Sequence, residues 1–378
     1  MLNVGIIGFG RRARSHIPVL QKLNDKYRLI AICDIDESRV KTAAEETKAK
    51  PYTDLEKMLS KEKLDACLIA VQAEGHQIVA RTLAERGIHI ITETPIAITV
   101  ACADQMIEKA KDNGVFLEVS ENVPRWPHER LKQKIVADNL LGEIKEFFLS
   151  YCSGSYHGFA GIRSILKSEA ESVVGEFPSD SSIPERGKIQ FLNGVKGIYE
   201  FNRNRGNYWE IIGTKGALRG NEMHLFEDDR RLQIEIEKAK VNHESIVVGA
   251  RVADKPEISF QTPFKRYSPA NYDEVALMDA WVSLYEAIVN SKPLTYGAEN
   301  ARRDVELLIA IRDSAMRGGV KVHLPLKGFT EYEKQVHAEF TKVYGSDPLE
   351  QNLQDMSARY TLPDRLRELI YHGRAIQK

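Results

Sequence analysis

Cysteine is scarce in this 378-residue chain: Cys33, Cys67, Cys102 and Cys152 are its only four, and none is spaced as a CxxC pair. That scatter supports neither a disulfide framework nor a cysteine metal site, and the first two fall in apolar runs, as buried free thiols do. No metal is expected. Net charge is scarce as well. Lys and Arg number 53 against 54 Asp and Glu, a formal net of -1, and no basic run forms a track for a polyanion. Nucleic acid is therefore not an expected partner. No stretch of about eighteen consecutive apolar residues occurs, so no membrane span is expected either. Met1 leads directly into an apolar strand with no basic and apolar leader, and the expectation is a soluble, cytoplasmic protein. Internal repeats and low-complexity segments are also missing. What is present is an ordinary composition on a chain long enough for two domains with full cores.

Apolar strand-like runs alternate with amphipathic stretches through the first 120 or so residues. The strands are Leu2 to Ile7, Leu29 to Cys33, Ala66 to Val71, Ile88 to Ile91 and Val115 to Val119. Between them, Ile78, Val79, Thr82 and Leu83 make one helical face before Gly87, and Val100, Ala103, Ile107 and Ala110 another before Gly114. This alternation predicts an α/β domain with a parallel, doubly wound sheet. Pro18 falls inside the first helix, where it should kink or shorten it. After Glu121 the pattern changes. Pro127 opens a helix to about Asn139, and strands then follow one another: Ile144 to Tyr151, Lys188 to Leu192, Val195 to Asn202, Tyr208 to Ile212 and Leu232 to Glu237. Asn193-Gly194 is a strong hairpin signal, so an α+β domain with an open-faced, mostly antiparallel sheet is predicted. Ser268-Pro269 opens a helix to about Asn290, and a further helix ends at Gly318-Gly319. The predicted divisions are 1–122, 123–330 and a charged, helical C-terminal extension at 331–378.

The first strand passes at once into Gly8-Phe9-Gly10-Arg11-Arg12-Ala13, and Asp34 closes the next strand. That is a dinucleotide-binding fingerprint in its proper setting. Gly8 permits the tight turn, Gly10 lets the main chain approach a pyrophosphate, and Ala13 lets the following helix pack close to the sheet. The helix start favours the phosphates, and Asp34 is spaced to accept hydrogen bonds from the adenosine ribose. A carboxylate there favours NAD, whereas Arg11, Arg12 or Arg39 nearby offers NADP as the alternative. Other cofactor-facing candidates end strands at the same sheet edge: Val71 and Gln72, then Glu93 and Pro95. His76 opens the next helix and reads equally as a helix-start residue or a ligand.

Taken with two further segments, these residues resemble the glucose-fructose oxidoreductase, inositol dehydrogenase and rhizopine-catabolism (Gfo/Idh/MocA) family over about residues 1 to 330. Gly87-Ile88-His89-Ile90-Ile91-Thr92-Glu93-Thr94-Pro95 is similar to the family's G-x-H-V-x-x-E-K-P signature, and Ile211-Ile212-Gly213-Thr214-Lys215-Gly216-Ala217 to its G-T-K-G hairpin. Glu121, Asn122 and Arg125 stand like the segment that opens the second domain. The resemblance implies a nicotinamide cofactor between a Rossmann domain and an open-faced sheet domain, with sugar or cyclitol substrates and a homodimer or homotetramer. It implies Glu93 near the nicotinamide ribose, Asn122 on the nicotinamide side, and Arg125 with Trp126 lining the substrate cleft.

Two departures fall at the family's chemical groups. The E-K-P lysine is replaced by Thr94, which cannot supply a positive charge. The family's Asp and His, four residues apart, are matched by Ser153 and His157. As a bare sequence position His157 reads as a helix cap or core residue; the resemblance makes it the candidate acid/base, a role an imidazole suits because it exchanges protons near neutrality. Thr94 keeps a hydroxyl for substrate or cofactor, Tyr156 a phenol, and Arg163 a cation. The expected activity is NAD(P)-dependent hydride transfer on a sugar, cyclitol or related polyol derivative. A preorganised cation is commonly worth about 3 kcal/mol, about a hundredfold in rate, so alcohol oxidation without the lysine should be slow. The alternatives are a reductase of a non-alcohol substrate and a non-catalytic NAD-binding sensory or regulatory protein.

Overall fold

The computed structural model describes residues 1–180, 182–356 and 363–372. Those residues divide into two compact units, each gathered from three stretches of chain. The first contains Met1–Glu121, Leu277–Arg302 and the described part of His337–Pro363; the second contains Asn122–Ala276, Arg303–Val336 and 364–372. Among the described residues, no helix is long and apolar enough to cross a membrane.

In the first unit the chain runs β1 (Leu2–Ile7), α1 (Arg11–Lys22), β2 (Tyr27–Cys33), α2 (Glu37–Thr47), β3 (Lys50–Tyr52), α3 (Leu55–Lys61), β4 (Ala66–Ile69), α4 (Ala73–Ala84), β5 (His89–Thr92), α5 (Val100–Asp112) and β6 (Leu117–Val119). Its six strands lie in the order β3-β2-β1-β4-β5-β6, with every pairing parallel. β4 is buried along its whole length, as expected where helices cover both faces of a parallel sheet. The order reverses between β1 and β4, and at that switch point the strand exits leave a crevice. The predicted doubly wound sheet is thus present, with the short β3 as an addition. Pro18 does not shorten α1, which continues to Lys22. Both Pro18 and Arg14, whose carbonyl loses its helical donor, face solvent, where water can satisfy that oxygen.

The second unit begins with α6 (Pro127–Ala137), β7 (Ile144–Ser150), α7 (Ser155–Leu166), β8 (Ala170–Glu176), β9 (Glu185–Phe191) and β10 (Lys196–Phe201). It continues through β11 (Tyr208–Gly213), β12 (Gly216–Arg219), β13 (Glu222–Leu225), β14 (Arg230–Val241), β15 (Glu244–Val252) and β16 (Lys255–Gln261). Then come α8 (Tyr272–Asn290), α9 (Gly297–Met316), β17 (Val322–His323), α10 (Glu331–Tyr344), α11 (Leu353–Met356) and α12 (Asp364–His372), distributed over both units. The described strands form one eleven-stranded sheet, β16-β15-β14-β13-β12-β11-β7-β10-β9-β8-β17, in which β7 and β10 pair in parallel. At Asn193-Gly194, β9 and β10 pair as a hairpin. Its loop closes through Phe191 N–H to Val195 O at 2.9 Å, with Gly194 at φ +85°.

The predicted divisions at 122 and 330 differ from these units in one respect. Leu277–Arg302 and much of the C-terminal extension return to the first unit. Packing explains the return of the first segment: Trp281 is fully buried, its carbonyl accepts from Tyr27 Oη at 2.7 Å, and Glu118 Oε1 accepts from Gly297 N at 2.7 Å. His337 brings α10 back, with Nε2 2.9 Å from Thr99 Oγ1 and Nδ1 2.9 Å from Asp347 Oδ2. The extension is helical at α10, α11 and α12; its residues 357–362 and 373–378 lie outside the described residues.

Candidate functional site

Parallel pairing brings the ends of β1, β2, β4 and β5 to one edge of the first sheet, with the segments Gly8 to Gly10, Asp34, Val71-Gln72 and Glu93 to Pro95. Gly8 has φ +87°, and a Cβ there would lie 2.6 Å from Ala70 O, so both conformation and crowding demand glycine. Gly10 is different. A Cβ on it meets nothing within 4 Å, so packing does not require its bareness, whereas close approach of a phosphate does. No side chain caps α1, and its first turn holds no acid, which leaves an anion as the fitting partner for that helix start. Arg11 on this turn is exposed, whereas Phe9 is buried.

Asp34 ties the turn to β2. Its Oδ2 accepts from Phe9 N at 2.6 Å and its Oδ1 from Asp36 N at 2.9 Å; a carboxylate has about four acceptor positions, so capacity for ribose hydroxyls is left. Arg39 Nη1 stands 3.8 Å from the same carboxylate. These residues fit a dinucleotide.

Glu93 is engaged within the protein. Arg12 grips its carboxylate with two hydrogen bonds of 3.1 Å, and His16 Nε2 lies 2.7 Å from Oε1. The indole Nε1–H of Trp281, a donor only, reaches His16 Nδ1 at 2.9 Å; the His16 proton must therefore sit on Nε2 and point at Glu93. Burial raises the Glu93 carboxyl, and the His16 hydrogen bond with the Arg12 charge outweighs it, leaving a pKa of about 2. Arg12 is thus oriented toward Glu93 rather than left as an unattached phosphate ligand. His16 was not foreseen, although it stands one helical turn from Arg12 on the same face.

His76, read from the sequence as a helix-start residue or a ligand, is engaged within the protein. It is buried, with Nδ1 3.0 Å from Pro95 O and Nε2 3.1 Å from Val71 O; burial lowers its pKa despite those carbonyls. Its ring braces the β4 exit against the Thr94-Pro95 peptide, which is cis. Gln72 is exposed at the start of α4, and Thr94 is half-buried.

In the second unit, β7 leads through Gly154 (φ +95°) into α7, so that His157 and Tyr156 lie in the helix's first turn. Their rings are 4.5 Å apart and fold over Gly154, where a Cβ would lie 2.8 Å from the Tyr156 ring and 3.1 Å from His157 Cδ2. Both are half-buried. The Ser153 Oγ accepts from Asn207 Nδ2 at 2.6 Å. Asn207 also accepts from Cys152 N at 3.1 Å; no local pattern in the sequence signalled this bracket. Arg125 is buried, and Trp126 donates to Asp273 Oδ1 at 2.8 Å. Asn122 Oδ1 is buried without a hydrogen-bond partner among the described residues, an acceptor that a bound donor would satisfy.

Arg163 is likewise engaged within the protein. Its guanidinium is buried between Glu169, at 2.7 and 2.9 Å, and Asp304 at 2.5 Å. Two carboxylates consume the cation that substrate binding required.

Residues 2–121 match the family model described as an oxidoreductase family with an NAD-binding Rossmann fold. D-apiose dehydrogenase of Paraburkholderia graminis is 30% identical over 138 residues, 36% of this chain and 36% of that protein's length. Myo-inositol 2-dehydrogenase of Thermotoga maritima is 25% identical over 250 residues, 57% of this chain and 74% of the relative. Among solved structures, levoglucosan dehydrogenase in complex with NADH and levoglucosan shares the fold with a TM-score of 0.67 at 20% identity, covering 86% of this chain and 100% of that one.

Proposed function

From the premise that residues 2–121 match the Gfo/Idh/MocA oxidoreductase family model, we propose that this protein transfers hydride between NAD and a sugar, cyclitol or related polyol derivative. One observation carries the cofactor half of this reading: Gly10 is bare where no internal contact requires it, at the start of a helix that no side chain caps. Gly8, Phe9, Gly10 and Arg11 would hold the pyrophosphate, and Asp34 the adenosine ribose. A 2′-phosphate would meet the Asp34 carboxylate first, which favours NAD over NADP. Bound NAD supplies the hydride acceptor or donor.

His157 moves the hydroxyl proton, while Arg125, Trp126 and Tyr156 recognise the polyol and Thr94 contributes a hydroxyl. With Arg163 held by Glu169 and Asp304, it does not replace the missing lysine. Turnover on a simple alcohol is accordingly slow. The second sheet's open face, where Ile198 is 40% exposed, is the surface for a homodimer or homotetramer.

The test begins with NAD and NADP titrations monitored by thermal shift, followed by nicotinamide absorbance with a panel of sugars, cyclitols and their keto forms. His157→Ala is expected to lower turnover about a hundredfold or more with NAD affinity unchanged. Undiminished turnover in that variant would sink the acid/base assignment. Tight NAD binding with no turnover on any substrate would instead favour the sensory, non-catalytic reading.

A further inference from the structure

α7 starts without a side-chain cap, on Gly154, and His157 is its third residue. The first amides of any helix lack intrahelical acceptors, and an uncapped first turn frays. A ring carried on such a turn needs an anchor. Ser153 stands where the related family places its orienting aspartate, but its hydroxyl is engaged by Asn207.

A buried chain of hydrogen bonds supplies the anchor two residues further on. The Ser155 hydroxyl meets the Tyr199 phenol, the phenol lies 2.7 Å from Glu185 Oε1, and Glu185 Oε2 accepts from Arg312 Nε at 2.6 Å. All four residues are at most 2% exposed. The donors and acceptors fix its direction. A guanidinium only donates, the carboxylate beside it accepts, and Tyr199 has one O–H to give to that carboxylate; Ser155 must therefore donate to the Tyr199 oxygen. The first residue of α7 is thereby tethered to the sheet, and a charged group terminates the tether, which strengthens each link.

We propose that Tyr199 is a positioning residue for His157, acting through Ser155, a role that rests on the reading of His157 as the acid/base. The chain does for the imidazole what an orienting aspartate does elsewhere: it limits the ring to one placement by holding the turn that carries it. Tyr199 touches neither substrate nor cofactor in this scheme.

Full-length Tyr199→Phe, Ser155→Ala, their double variant and Ser155→Thr are compared with the unaltered protein. The imidazole signals of His157, identified by their loss in His157→Ala, are titrated by NMR; kcat, KM and NAD affinity are measured alongside. Tyr199→Phe and Ser155→Ala should each move the His157 titration and lower kcat about tenfold, with KM and NAD affinity within about twofold. The double variant should be no worse than the weaker single one, since both break the same chain, and Ser155→Thr should restore the signals. Tyr199→Phe also strips Glu185 of a partner, so folded fraction is followed by circular dichroism; Ser155→Ala leaves that carboxylate partnered and separates orientation from stability. Unchanged His157 signals and titration in both single variants would overturn the proposal. If the titration moves yet His157→Ala keeps full turnover, the positioning stands and the acid/base reading fails.

Discussion

Glu93 shows what a single side chain's surroundings do to its chemistry. Its position at the end of β5 was readable from the sequence, and Arg12 and His16 share one face of α1 by their spacing. The tautomer of His16 was not readable, because Trp281 lies 265 residues away. The partners of Arg163 and His76 were not readable for the same reason: Asp304 is 141 residues from Arg163, and His76 finds its second carbonyl only when Pro95 folds over it. The folded pKa of Glu93, about 2, lies below its ordinary 4.5. Its contribution is therefore complete above the unfolded value and is lost as pH falls from there toward the folded one. The difference corresponds to about 3 kcal/mol. In Glu93→Gln this acid-dependent part should be missing. Denaturant unfolding between about pH 5 and pH 2 measures it, and an equal loss of stability on acidification in both proteins would contradict the assignment.

At the scale of elements, the turn from β1 to α1 separates two glycines that look alike in sequence. Gly8→Ala forces a left-handed conformation and a 2.6 Å approach to Ala70 O, and should destabilise the protein by about 2 to 3 kcal/mol. Gly10→Ala meets no neighbour and should shift stability by less than about 0.5 kcal/mol, while NAD affinity falls tenfold or more. Thermal unfolding and NAD titration on the two variants decide; equal losses of stability would refute the distinction. The parallel strands and long helices were legible because buried strands are continuous apolar runs and helices repeat every 3.6 residues. Several second-sheet strands were not. β12 and β13 are four residues each, and β16 shows no regular alternation of buried and exposed residues, so sheet neighbours rather than local pattern define them.

Across the molecule, Arg312 gathers elements from far along the chain. It pairs with Glu185 of β9 and donates Nη1 to Tyr332 Oη at 3.1 Å, Leu369 O at 3.2 Å and Ile370 O at 2.9 Å. Arg312→Leu would leave the buried Glu185 carboxylate without its counter-charge and remove a donor from the Leu369 and Ile370 carbonyls of α12. Loss of a buried ion-pair partner costs about 3 to 5 kcal/mol, and denaturant unfolding should show a loss of that size. A change under about 1 kcal/mol would mean that the guanidinium is dispensable to this unit. The sequence alone determined the glycine fingerprint, the alternation behind a parallel sheet and the family resemblance, because each is carried by neighbours in the chain. The tertiary structure decided how the polar groups are used: Arg163 and His76 are held by internal partners, Ser153 is bracketed by Asn207, and the C-terminal extension is shared between two units. Those outcomes depend on desolvation and on partners up to hundreds of residues away, and such partners meet only once the sheets have formed.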